Sequence, residues 1–137
     1  MFEKLDRYIN EFEAEDFPVD YWYDEGFLIV EDMLQSFEND DWEYLFQKLS
    51  KKTIGWKRRL AYCLHDSNDL KQLEVLLMLI DTDDDELFEI SVDSLRSFKD
   101  NLAIIQNDNQ IIQKIETLML KVGVATKRMF QEFLNTQ

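Results

Sequence analysis

The chain has 137 residues, 45% of them hydrophobic and 13% aromatic, which is enough apolar mass for a real core and too much for a disordered acidic tail. Twenty-nine acidic residues against fifteen basic ones give a net charge of −14, the wrong sign for direct nucleic-acid binding through phosphates. Three glycines and one proline argue against a fold rich in tight hairpins, and a single cysteine, Cys63, excludes an internal disulfide framework.

The N-terminus is charged from Glu3 onward, with no basic segment leading into an apolar run, so no signal peptide is expected. Phe2, Leu5, Ile9 and Phe12 recur at helical spacing and predict a first helix near residues 2–14. Phe17-Pro18-Val19-Asp20 interrupts it, because proline pushes the preceding residue out of the α region. A second helix near 23–38 turns Phe27, Val30, Met33, Leu34 and Phe37 inward. Asn39-Asp40-Asp41 offers an N-cap for a third, with Trp42, Leu45, Phe46 and Leu49 on one face. Thr53 caps a fourth carrying Trp56, Leu60, Ala61 and Leu64. Ser67, Asn68 or Asp69 caps a fifth, with Leu70, Leu73, Leu76, Leu77 and Ile80 inward. Asp83 or Asp84 caps a sixth, with Leu87, Ile90, Ser91, Leu95 and Phe98 inward. Asn107 or Asp108 opens a seventh through Ile111, Ile115, Leu118 and Met119. An eighth runs from about Ala125 to Leu134, burying Met129, Phe130 and Phe133.

No stretch alternates as a strand would, so the expected fold is all-α, about eight helices in one domain spanning 1–137. The third to sixth helices read as two antiparallel hairpins. Trp42, Leu45 and Leu49 then correspond to Leu70, Leu73 and Leu77, and Trp56, Ala61 and Leu64 to Ile90, Leu95 and Phe98. The offsets, about 28 and 34 residues, lie in the range of short α-solenoid repeats, so a HEAT-like α-solenoid of antiparallel hairpins is expected, with an irregular helical bundle as the alternative. The longest apolar run, Val75 to Ile80, is far shorter than a membrane span, so the cytoplasm is the expected location, without membrane contact.

Charge is distributed in blocks. Residues 1–50 hold fifteen acids and three bases, residues 51–80 three acids and six bases, and residues 81–100 eight acids and two bases. Two acidic blocks therefore flank a basic strip of Lys51, Lys52, Lys57, Arg58 and Arg59, which could neutralise neighbouring helices. The surplus acid must face solvent or a partner.

Residues with catalytic potential are few. His65 and Cys63 lie two apart, too few for zinc and on different sides of a helix, so the expectation is a partly buried Cys63 and a His65 near the last carbonyls of the fourth helix. Asp81, Asp83 and Asp85 match the first positions of a calcium loop, but Glu86 replaces the required glycine and Val92 the closing glutamate. No metal or cofactor site is expected. Two segments remain as candidate partner-binding surfaces. In the first, Asp20-Tyr21-Trp22-Tyr23-Asp24-Glu25, three consecutive aromatics cannot all point inward, so at least one should be exposed among carboxylates. In the second, Asp83, Asp84, Asp85 and Glu86 lead into Glu89 and Asp93, and Asp85, Glu89 and Asp93 share one helical face. Like charges at that spacing need compensation, for which Arg96 is placed. The same ladder would hold a divalent ion only if a second helix added ligands.

The stretches Trp56-Lys-Arg-Arg-Leu-Ala-Tyr-Cys-Leu-His-Asp66, Leu73-Glu-Val-Leu-Leu-Met-Leu-Ile-Asp81 and Asp85-Glu-Leu-Phe-Glu-Ile-Ser-Val-Asp-Ser-Leu-Arg-Ser-Phe98 resemble small helical immunity proteins. Those proteins accompany bacterial polymorphic toxins, including contact-dependent growth inhibition systems. The resemblance implies a non-catalytic protein that binds and blocks a cognate toxin domain, often a nuclease, in the producing cell. It transfers no individual contact residue. The alternative is a helical-repeat scaffold or regulator with another basic partner.

Overall fold

A computed structural model describes residues 1–13 and 21–135, apart from the side chains of Glu13 and Ile104. The expected break at Phe17-Pro18-Val19-Asp20 lies outside the described residues. Among those described, no strand occurs and no residue has a positive φ, so the all-α expectation holds. The chain divides into two compact units, Met1–Leu64 and His65–Gln137.

In the first unit α1 spans Phe2–Glu13, and a π-helical turn at Trp22–Gly26 runs straight into α2, Phe27–Gln35. Then come α3, Asn39–Lys48, a 3-10 turn at Leu49–Lys51, and α4, Ile54–Cys63. The α1 stripe behaves as its spacing predicts: Phe2, Leu5, Ile9 and Phe12 are all buried. Each such side chain contributes about 1.5–3 kcal/mol on leaving water. The helix packs on α2, α3 and α4, whose buried residues include Val30 and Leu34, Trp42 and Leu45, and Trp56 and Leu60 respectively.

Local chemistry sets the helix starts. Glu38, rather than Asn39, Asp40 or Asp41, is the N-cap of α3. Asp41 instead sits one turn in and reaches back to accept from the Glu38 N–H at 2.9 Å. Its other carboxylate oxygen accepts from the Phe2 N–H at 3.0 Å, which ties the start of α1 to α3. Thr53 caps α4 as expected, accepting from the Trp56 N–H at 3.2 Å.

The second unit holds α5, Leu70–Leu79, and α6, Asp85–Leu95, followed by a 3-10 turn at Lys99–Asn101. Next are α7, Leu102–Gln106, which the periodicity did not predict, α8, Asn109–Met119, and α9, Val124–Asn135. Of the alternative caps, Asp69, Asp84 and Asp108 serve α5, α6 and α8. The α6 helix packs between α5 and α9, burying Leu87, Phe88, Val92 and Leu95, while α8 packs on α7 and α9.

Two expectations need correction. On α5, Leu70 and Leu77 are exposed, at 57% and 42%, while Val75 and Leu79 are buried with Leu73, Leu76 and Ile80. The buried face is therefore rotated, and the correspondence of Trp42 and Leu49 with Leu70 and Leu77 fails. The pairing of hairpins is also uneven. The α5 and α6 helices pack against each other, but α4 packs chiefly on α2 and α1, and α3 on α1.

Candidate functional site

The acidic segment of the second unit is built around a helix start. The Asp84 carboxylate accepts from the Leu87 N–H at 2.8 Å, and the Thr82 hydroxyl accepts from the Asp84 N–H at 3.1 Å. Asp84 is thus committed to capping, where its charge also favours the helix dipole. Asp83, Asp85 and Glu86 remain exposed. The Lys114 ammonium lies 4.8 Å from the Phe88 ring centre and donates to the Thr82 carbonyl, which brings a cation to this loop.

Along α6 the carboxylates differ. Glu89 is partly buried, and its carboxyl is held above the usual range by desolvation first and then by the charges of Asp85, Glu86 and Asp84. Asp93 is compensated as expected: Arg96 pairs with it at 2.8 Å. Arg96 also pairs with Glu132 of α9, so the acid contributed by a neighbouring helix is held by a guanidinium. Among the described residues, no three His, Cys, Asp or Glu side chains are grouped so as to hold a metal ion.

Residues 21–25 form the other candidate. Trp22 is buried at 3%, whereas Tyr21 and Tyr23 are exposed at 38% and 47%, the division that three consecutive aromatics required. Asp20 lies outside the described residues. Phe12 organises the cluster. Its ring meets Trp22 edge-on at 5.0 Å, stacks on Tyr21 at 5.9 Å and meets Tyr8 at 5.1 Å. Burial pushes the Tyr8 phenol up to about 12, with Tyr21 and the carboxylates of Glu11 and Glu25 adding to the shift. Tyr23 leans edge-on against Tyr62 at 5.3 Å, and Tyr62 in turn meets Phe27 at 5.4 Å. Asp24 and Glu25 point outward.

The acidic surface continues onto α2. On α2, Leu28 and Ile29 are exposed at 49% and 36%, and Asp32 is exposed beside them. Helical spacing puts Asp32 one turn after Leu28, and the exposed Asp24 and Glu25 lie in the π turn that leads into this helix. The apolar run Phe27–Val30 contained the signal, since an inward phase through Phe27, Val30 and Leu34 leaves Leu28 and Ile29 on the outer face.

Part of the basic strip is spent inside the first unit. Lys52 pairs with Asp6 at 2.7 Å and lies 5.2 Å from the Trp56 ring centre, and Arg59 donates to the Phe12 carbonyl at 2.9 Å. Cys63 is fully buried, not partly as expected. Its thiol donates to the Arg59 carbonyl at 3.3 Å, and burial, with a contribution from Glu31, holds its pKa well above the ordinary thiol value. His65 is exposed just beyond the end of α4.

Fold and surface together define an acidic all-α protein with carboxylate-flanked apolar and aromatic surface. Against known proteins, no family model matches the chain, and no curated protein or solved structure matches it significantly. No helix among the described residues is long and apolar enough to cross a membrane.

Proposed function

We propose that this chain is a binding protein that recognises a basic protein partner, and that the partner is a toxin domain which it blocks. The reading carries over from the resemblance to immunity proteins of polymorphic toxins. One observation supports it most: bases such as Lys52, Arg59 and Arg96 are engaged within the units, while Asp24, Glu25 and Asp32 stand outward around exposed apolar groups. A nuclease holds a polyanion and presents a basic active site. An acidic inhibitor would be steered to it rapidly and would compete with its substrate. The protein acts in this scheme in the cytoplasm of the producing cell, by occupying surface and not by chemistry.

Co-expression tests the proposal. A toxic domain encoded beside this chain should arrest growth when expressed alone. Adding the chain should restore growth and yield a stoichiometric complex on gel filtration, weakened by rising salt. No rescue and no complex would refute the toxin assignment.

A further inference from the structure

We propose that the outward face of the π turn and α2, from Tyr21 to Asp32, is the docking site, and that its occupant is a basic amphipathic helix of the partner. The proposal rests on the basic-partner reading above and adds where that partner seats and what shape its contacting segment takes.

Four exposed surfaces compete for the role, and charge with apolar area separates them. The α6 face carries Asp85, Glu89 and Asp93, but no large hydrophobic side chain of α6 is exposed and Asp93 is already paired. It can attract a partner without anchoring one. The α5 face exposes Leu70, Leu77 and Met78, yet Lys71 and Glu74 lie together there at 3.9 Å, leaving no net sign to select a partner. The corner at Leu120 and Val124 is apolar but carries the exposed bases Lys121, Lys127 and Arg128.

Of these four surfaces, the α2 face alone combines anchors with a single sign of charge. Leu28 and Ile29 supply the apolar centre and Tyr21 one end of it. Asp24, Glu25 and Asp32 border it, and none of the three is paired with a base among the described residues. An apolar centre with a charged rim is the arrangement of a protein interface. The surface is a helix, and twelve helical residues extend about 18 Å. A second helix of similar length can lay an apolar stripe at i, i+3, i+4 and i+7 along Leu28 and Ile29. Lysine or arginine flanking that stripe would then meet the three carboxylates.

The test uses a labelled helical peptide of leucine and lysine, about fourteen residues long, with leucine at i, i+3, i+4 and i+7. A shuffled peptide of the same composition is the comparison. Fluorescence anisotropy should show the periodic peptide binding the full chain. Binding should be about tenfold weaker for L28S/I29S, for D24N/E25Q/D32N and for the shuffled peptide. Amide chemical-shift changes in the unaltered protein should cluster at residues 21–32, which gives the same answer without any variant.

Equal binding of both peptides, or full affinity in L28S/I29S, means attraction by charge alone and overturns the docking site. It would leave the basic-partner reading standing. Shifts centred on α6 or on Leu77 and Met78 overturn it too. So does self-association that L28S/I29S abolishes, because the occupant is then a second copy. No binding of the periodic peptide likewise overturns it, while rescue in the co-expression experiment decides the toxin assignment separately.

Discussion

Replacing Gly26 with alanine should destabilise the first unit, against the usual trend for a glycine in a helix. The backbone at Gly26 is ordinary right-handed helix, so alanine should gain about 0.5–1 kcal/mol from reduced chain entropy. The obstacle is space. A Cβ at this position would lie 2.7 Å from Phe12 Cζ and 2.9 Å from Trp22 Cε3. Carbon atoms in contact normally sit about 3.5–4.0 Å apart, so both rings must give by roughly 1 Å. Neither can move into solvent, since Phe12 and Trp22 are 4% and 3% exposed and Phe12 is also packed on Tyr8 and Tyr21. Overpacking of this kind costs about 1–3 kcal/mol. The net expectation is a loss of about 1–2 kcal/mol after the entropic gain. Urea unfolding followed by tryptophan fluorescence suits the measurement, because Trp22, Trp42 and Trp56 all lie in the first unit. The midpoint should fall with little change in slope. Gly123→Ala is the control: nothing lies within 4 Å of its Cβ, and the change should stay within about 0.5 kcal/mol. A Gly26→Ala protein as stable as the original, or more stable, would refute the reasoning that ring packing selects glycine here.

Asp41→Asn should cost about 1 kcal/mol, because Asp41 uses both oxygens, one for Phe2 and one for Glu38, and asparagine has only one acceptor. Those contacts lower the Asp41 pKa, so the advantage over the variant is full above the ordinary carboxylate value and fades as pH falls through the folded value. Thermal melts across pH 2.5–7 would check this. Glu89 runs the other way. Its raised pKa means that stability is lost as pH rises through the folded value, so Glu89→Gln should stabilise the protein at neutral pH by a few tenths of a kcal/mol, roughly the repulsion removed. That gain should vanish in melts below the unfolded carboxylate pKa. Cys63 should react slowly with a thiol reagent in the native protein and quickly in urea, since its thiol is buried, hydrogen-bonded and held protonated. Rapid native labelling would contradict its placement.

Helices were legible wherever apolar residues were sparse enough to define a phase. The α1 stripe, one residue per turn among charges, left no ambiguity. On α5, six apolar residues in a row fit any phase, and only packing against α6 decides that Val75 and Leu79 go in while Leu77 stays out. The α7 helix was missed because five residues are too few for a period. At the candidate surfaces the exposure of Tyr21 or Tyr23 followed from adjacency alone. The Arg96 contact with Glu132, 36 residues away, has no local signature.

The π turn at Trp22–Gly26 has a consequence for how this surface is set in register. A π turn is an α-helix with one extra residue, and each residue of an α-helix advances the side chain by about 100°. Stepping back from Val30 and Leu34 without that extra residue, the inward position would fall on Tyr23, and Trp22 would swing to the side. The insertion shifts the phase so that Trp22 enters the core and Tyr23 faces out. Deleting Asp24 or Glu25 would thus restore an unbroken α-helix with Trp22 still hidden and Tyr23 still presented, whereas straightening the turn with all its residues in place would exchange the two.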